Sequence, residues 1–269
     1  MRHNAQVSPS VTGRVLDVLD AFSADRPVLT LSELSRRAGL PLSTAHRLVR
    51  ELTDRGALER DERGGYRIGL WLWEVASLAP HGPGLRESAM PFLEDLYEAT
   101  HQNVQLAVMD GAEVVYLERI SGRNAVRIQS RVGGRLPVHA TGVGLVLLAY
   151  ARPEVQEQVL AAPLKRYSPG TLATPESLRR ALADVRRDGF AISDGQIEPH
   201  VISVAAPVYG ADDTVRAAIS IVVPKEGTDA RSLVPAVRAA ARGISRVLGA
   251  PRATRVAHDA HRETHRPRR

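Results

Sequence analysis

The chain has 269 residues, 43% of them hydrophobic, and a formal net charge of +6. That length accommodates two domains with ample core material. With no cysteine there is no disulfide framework and no thiolate chemistry, so a cytoplasmic protein is expected. No apolar run approaches the roughly 20 residues of a membrane span, and the opening residues, MRHNAQVSPS, lack the apolar core of a signal peptide.

The charge is unevenly placed. Residues 252–269 hold six Arg against Asp259 and Glu263, whereas residues 1–80 hold eleven Arg against ten acids. A nucleic-acid reading of the N-terminal half must therefore rest on where its arginines stand, not on bulk basicity.

In chain order, residues 1–7 have little to bury. Ser8 can cap a helix that has Pro9 at its first position. Val11, Val15, Val18 and Phe22 then line one face, as a third member packing across the helices that follow. Residues 29–67 read LTLSELSRRAGLPLSTAHRLVRELTDRGALERDERGGYR. Thr30 and Glu33 form a capping box, with Leu29 and Leu34 placed as a hydrophobic staple. Gly39 stops the helix and Pro41 suits the first turn of the next. Ala45, Leu48, Val49 and Leu52 share one face of that second helix. Its other face carries Ser43, Thr44, His46, Arg47 and Arg50, donors suited to base edges and phosphates. Leu58, Gly64-Gly65 and Tyr66-Arg67-Ile68 then read as two short strands around a glycine turn. Helix, turn, helix and hairpin make a winged helix-turn-helix over residues 8–68. In that geometry Ser43, Thr44, His46 and Arg47 lie nearest the bases of duplex DNA, with Arg50 and the wing residues Arg63 and Arg67 on the backbone.

Residues 69–84 begin GLWLWEVASLA, an apolar linker helix carrying both tryptophans, and end at the breaker Pro80-His81-Gly82-Pro83-Gly84. Leu70, Trp71, Leu72 and Val75 are expected to hold a second copy of the chain. From residue 85 the texture changes. Helices are expected over 85–100, 139–150, 153–160, 176–188 and 229–248. Strands are expected over 104–109, 114–119, 125–129, 190–193, 201–208 and 215–222, with Asp110-Gly111 as a hairpin turn. The pattern predicts an α+β domain around a largely antiparallel sheet over 85–250. Residues 251–269 form a basic tail with little to bury, for which disorder is expected.

No catalytic constellation emerges. Thr141-Gly142-Val143-Gly144 lacks the Gly-Lys-Ser/Thr of a phosphate loop, and there is neither a nucleophile elbow nor a zinc-protease motif. His81, His101, His139 and His200 lack metal-ligand spacing, so no cofactor and no metal are expected. Two other classes stay open on the residues alone: a small-molecule enzyme whose helix-turn-helix is a dimerisation hairpin, and a ligand-binding signalling module. Salt-dependent, sequence-specific DNA binding separates the regulator from both.

Three stretches, LSELSRRAGLPLSTAHRLVREL (31–52), RVGGRLPVHATGVGLVLLAY (131–150) and GFAISDGQIEPHVISVAAPVYG (189–210), resemble in order and spacing the IclR family of bacterial transcriptional regulators. The resemblance implies a winged-helix domain, a GAF-like domain binding a small-molecule effector, dimers or tetramers on DNA, and most often repression. Carried over by position, the effector pocket it implies is lined by Ala125, Leu136, Gly142, Val143, Ser193, Asp194, Val201, Ser203, Ser220 and Val222. Ser203 and Ser220 can donate hydrogen bonds there, and the N–H groups around Gly142 at a helix start favour an anion, so a small carboxylate is expected. The family often carries Glu at the place of Gln196 and Gly at the place of His200; both departures fall at the pocket rim.

Overall fold

The structure, a computed structural model, describes residues 10–23, 25–79 and 83–253. The chain divides into two compact units, Met1–Pro83 and Gly84–Arg269. The cap expected at Ser8 and residues 254–269 of the expected tail lie outside the described residues.

In the first unit, α1 (Val11–Asp20) is capped by Ser10, whose side chain accepts from the Gly13 N–H. α2 (Leu31–Arg37) carries the complete Thr30–Glu33 capping box. Its exit runs through Ala38 to Gly39, whose φ of +67° is the left-handed turn that a side chain would resist. Ser35 fastens the turn: its hydroxyl donates to Leu40 O and its carbonyl accepts from Leu40 N. α3 (Leu42–Asp54) follows, with Pro41 one residue before the first turn and no side-chain cap. Ala45, Leu48 and Val49 are buried together with Val18 and Ala21 from the α1 region and Leu34 from α2, making one three-helix core. β1 (Leu58–Arg60) and β2 (Tyr66–Ile68) pair antiparallel as the wing. α4 (Leu70–Ser77) completes the unit and buries none of its residues.

The second unit is built on a six-stranded antiparallel sheet in the order β5-β4-β3-β8-β7-β6. These strands are β3 (Asn103–Asp110), β4 (Glu113–Ile120), β5 (Arg135–Pro137), β6 (Ala191–Asp194), β7 (Val201–Tyr209) and β8 (Val215–Pro224). Side-chain alternation gives the sheet two apolar faces. Val104, Leu106, Val204, Ala206, Ile219 and Ile221 point to one, under α5 (Pro83–Thr100) and α9 (Ala230–Val247). Ala107, Val114, Tyr116, Ala205 and Ala218 point to the other, against α6 (Gly142–Ala149), α7 (Pro153–Ala161) and α8 (Pro175–Asp188). α8 ends at Gly189, in the left-handed conformation with φ 73°. Such residues as Leu145, Val146 and Leu148 make α6 apolar all round, and every one of its residues is buried.

Two elements differ from the sequence expectation. Residues 125–129 are not a strand. Their backbone groups go elsewhere: Val126 O accepts from Asn103 Nδ2 (2.8 Å) and Gln129 N donates to the Glu198 carboxylate (2.6 Å). The edge of β4 is covered instead by β5, three residues ending in proline, paired as Glu113↔Pro137, Val114↔Leu136 and Val115↔Arg135. At the C-terminal end, residues 251–253 form a helical turn rather than the start of a loose tail. Ala253 is buried there, and Arg252 lies 4.2 Å over the Tyr209 ring with its Nε 3.5 Å from Asp213.

Candidate functional site

α3 presents an exposed polar face because its apolar residues are spent on the core. Ser43, His46, Arg47 and Arg50 are exposed and Thr44 is half-buried. Arg47 Nη1 lies 3.1 Å from Glu51 Oε1 and Arg50 Nε 3.8 Å from Asp54 Oδ2, each one helical turn apart on the solvent side. Exposed pairs of this kind hold a guanidinium only weakly, so either arginine can exchange its partner for another anion.

The wing turn is built by Asp61, whose Oδ1 accepts from Arg63 N (2.9 Å) and Gly65 N (2.7 Å), with Gly64 at φ +82°. A side chain at Gly65 would strike Val28 and Asp61. Arg63 is thereby displayed at the tip. Arg67 is engaged differently: its guanidinium contacts Glu59 at 2.8 Å, and the other Glu59 oxygen accepts from Leu70 N at 3.1 Å. The Arg67 hydrogen bond, then that of Leu70, holds the Glu59 carboxyl below its ordinary range. Arg67 therefore links the wing to the start of α4.

The second unit holds an open cavity on the sheet face that carries α6, beside that helix's N-terminus. Its floor follows from register. Gln105 pairs with Ser220, Ser203 pairs with Val222 and with Ser193, and the side chains of all five line the cavity. Two glycines bring α6 close, for different reasons. Gly144 leaves room for the Val138 carbonyl and the capping Thr141 hydroxyl, which accepts from Gly144 N. Gly142 leaves room for Ser203. The first-turn N–H groups of Gly142 and Val143 have no acceptor inside the helix. Leu136, Val143, Ile128, Val201 and Val222 supply apolar walls.

The polar groups are unequal. Ser220 Oγ donates to Gln105 Oε1 (3.2 Å), and Gln105 Nε2 donates to Ser130 Oγ (2.5 Å), so these three satisfy one another. Ser203 Oγ has no partner among the described residues. Burial pushes the Tyr116 phenol well above its ordinary pKa, keeping it a neutral donor. Among the lining residues Glu198 is the one charged group. The Arg119 guanidinium lies nearby, donating to Ser130 O (2.8 Å) and Asn103 Oδ1 (3.0 Å); desolvation lowers its pKa, and Glu198 opposes that. An anion at the α6 end of this cavity, away from Glu198, would meet neutral dipoles, not a countercharge.

Residues 11–62 match the IclR helix-turn-helix domain, and residues 79–246 match the C-terminal domain of the bacterial transcriptional regulator IclR. The chain belongs to the IclR family. The HTH-type transcriptional regulator XynR of Escherichia coli K12 is 34% identical over 243 residues, 88% of this chain and 96% of that protein. KipR of Bacillus subtilis is 32% identical over 83% of this chain and 91% of its own length. A crystal structure of an IclR homolog from Microbacterium hydrocarbonoxydans, complexed with 4-hydroxybenzoate, is 44% identical with a TM-score of 0.85, covering 89% of this chain and 99% of that one. The relatives are named as transcriptional regulators, and this IclR-family chain is one: a DNA-binding, two-domain α+β protein. No helix among the described residues is long and apolar enough to cross a membrane.

Of the residues that family resemblance assigns to the pocket, Leu136, Gly142, Val143, Ser193, Val201, Ser203, Ser220 and Val222 line this cavity. Ala125 and Asp194 do not. Ala125 sits in the irregular loop that replaces the expected strand, and Asp194 turns outward to pair with Lys225 at 2.8 Å. Ser220 is present but its hydroxyl proton is already used by Gln105. Sequence reasoning missed Gln105, Tyr116 and Ser130 as lining residues. The strands of Gln105 and Tyr116 were readable, and polar residues alternating toward one face were the available signal; Ser130 lies in an irregular loop that offers none. His139 is buried, with Nε2 3.0 Å from Lys165 O, a structural hydrogen bond.

Proposed function

We propose that this regulator binds duplex DNA as a homodimer or a dimer of dimers, and that a small carboxylate in the cavity controls its operator affinity, in the mode of a cytoplasmic repressor. The DNA contacts fall to Ser43, Thr44, His46 and Arg47 on α3, with Arg50, Arg63 and Arg67 toward the phosphates. The observation that carries the effector half is the cavity itself: apolar walls, unpaired N–H groups at the start of a buried helix, and a free hydroxyl on Ser203. The 4-hydroxybenzoate complex of the Microbacterium homolog supports an aromatic acid as ligand class. For regulation, the acid must favour one DNA-binding arrangement over another; equal affinity for both would regulate nothing. A footprint on the promoter beside its own gene, repeated with benzoate and 4-hydroxybenzoate, tests both halves. A protected near-palindrome whose occupancy changes with the acid is expected. Binding that is independent of sequence and acid overturns the proposal.

A further inference from the structure

Gln196 lines the cavity at 6% exposure, and its side-chain Oε1 has no hydrogen-bond partner among the described residues. A buried amide left in that state normally swings toward water or a donor. Here the main chain that carries it is tied down. The Gln196 carbonyl accepts from Ser168 Oγ (3.1 Å) and Thr171 Oγ1 (2.6 Å), and the preceding carbonyl of Gly195 also accepts from Ser168 Oγ. Gly195 N donates to Val201 O, and its φ of +59° fixes the turn. The β6–β7 loop thus presents a buried acceptor with nothing to accept.

The same loop carries Glu198, whose carboxylate is a second acceptor and the cavity's one charge. Its Oε1 already accepts from Gln129 N. The cavity therefore offers donors from α6 and Ser203, and acceptors from the β6–β7 loop. A carboxylate group is drawn to the former and repelled from the latter. A ligand with a carboxylate alone would leave Gln196 Oε1 unpaired on binding, whereas one that also carries a hydroxyl would satisfy it.

We propose that Gln196 is a specificity residue that selects hydroxylated carboxylates over their unhydroxylated analogues by accepting the ligand's hydroxyl proton. This rests on the carboxylate reading above and goes beyond it by naming the second functional group and its acceptor.

The test is calorimetric titration of the full chain with benzoate, 3-hydroxybenzoate, 4-hydroxybenzoate and terephthalate. It compares wild type with Gln196→Leu, Gln196→Met and Glu198→Gln, with circular dichroism reporting folding. In wild type at least one hydroxybenzoate should bind roughly tenfold or more tighter than benzoate, the worth of one buried hydrogen bond. Gln196→Leu should bring that hydroxybenzoate to benzoate's affinity while leaving benzoate itself little changed. Gln196→Met, close in length, should do the same, so a folding defect in one variant leaves the other to decide. Equal binding of benzoate and both hydroxybenzoates by wild type overturns the role of Gln196 and leaves the carboxylate reading standing. Binding of none of the four acids removes the carboxylate reading, and this inference with it. A preference that survives in both Gln196 variants, or is lost in Glu198→Gln instead, places the acceptor elsewhere. Tighter binding of terephthalate than of either hydroxybenzoate would mean the amide presents a donor, and also overturns the assignment.

Discussion

Ser203 Oγ lies 2.6 Å from the point where a β-carbon on residue 142 would fall. Gly142 is thus the opening through which β7 meets the first turn of α6, with Ala205 and Ser193 each 3.5 Å from the same point. Any side chain at 142 must displace Ser203 or enter the cavity. Gly142→Leu should abolish the response to an aromatic acid while operator affinity stays at the wild-type level, measured by fluorescence anisotropy on labelled DNA. Ser203→Ala, which removes a free hydroxyl and leaves no protein group unpaired, should weaken acid binding roughly tenfold without loss of stability. Ser220→Ala should act differently. It strips Gln105 Oε1 of its donor and should lower stability by about 1–3 kcal/mol. A response to the acid that is unchanged in Gly142→Leu would place the ligand elsewhere.

Arg47 separates recognition from stability. Its partner Glu51 is as exposed as itself, so Arg47→Ala should change folding stability by less than about 1 kcal/mol. On DNA the same guanidinium can offer two parallel donors to a guanine, worth roughly 1–3 kcal/mol of discrimination. Operator affinity should therefore fall while affinity for unrelated duplex stays nearly constant. Arg63→Ala should lower both alike and reduce the salt slope by about one. Arg67→Ala should show the salt effect together with a looser wing, because it also releases Glu59 from its place beside Leu70 N.

Acid stability should report the capping box that starts α2. Hydrogen bonds from the Thr30 backbone, then from its side chain, hold the exposed Glu33 carboxyl below its ordinary 4.5. A carboxyl depressed in the folded state contributes stability that is complete above the unfolded pKa and disappears as pH falls through the folded one. The contribution should thus persist at neutral pH and vanish below pH 4.5. Thr30→Ala should cost about 1 kcal/mol at neutral pH, return the Glu33 pKa toward its ordinary value in carboxyl-resolved NMR, and narrow the gap to wild type in strong acid.

The helix-turn-helix was legible because its signals are local. Thr30 and Glu33 stand three apart, Gly39 follows the last turn, and Asp61 precedes a glycine pair, each acting through neighbours in sequence. The sheet was legible where strands are near-continuous apolar runs, as in β7 and β8, which are buried on both faces. It failed at residues 125–129, where Ala125, Val126 and Ile128 imitate a strand, but Val126 O is bonded by Asn103 and Gln129 N by Glu198, each more than 20 residues away. β5 is too short, and ends in proline, to show any period. The cavity floor was half-read for the same reason: that Gln105 meets Ser220 is a product of strand register, and that it meets Ser130 depends on an irregular loop, neither of which composition encodes.

The proposed assembly turns on α4. None of its residues is buried within the chain, yet it carries Leu70, Trp71, Leu72, Trp73 and Val75, with Leu78 beyond its end at 82% exposure and Trp73 at 67%. Apolar surface of that kind on one short helix is costly in water and is characteristic of a surface covered by a partner. A second copy is the occupant we expect. A single winged helix reaches one half-site, whereas two related by a dyad reach half-sites about 10 base pairs apart and gain affinity together. Trp71 is the wrong residue to probe alone, since its β-carbon also packs near Gly56 in its own unit. Trp73→Glu with Leu78→Glu removes only exposed surface and should leave the melting temperature of the isolated fold unchanged. The wild-type chain should sediment as a dimer or larger at micromolar concentration, the double variant should shift toward monomer, and operator affinity should fall with it while non-specific binding per chain does not. Sedimentation identical in the two proteins would show that α4 is not the surface that joins them.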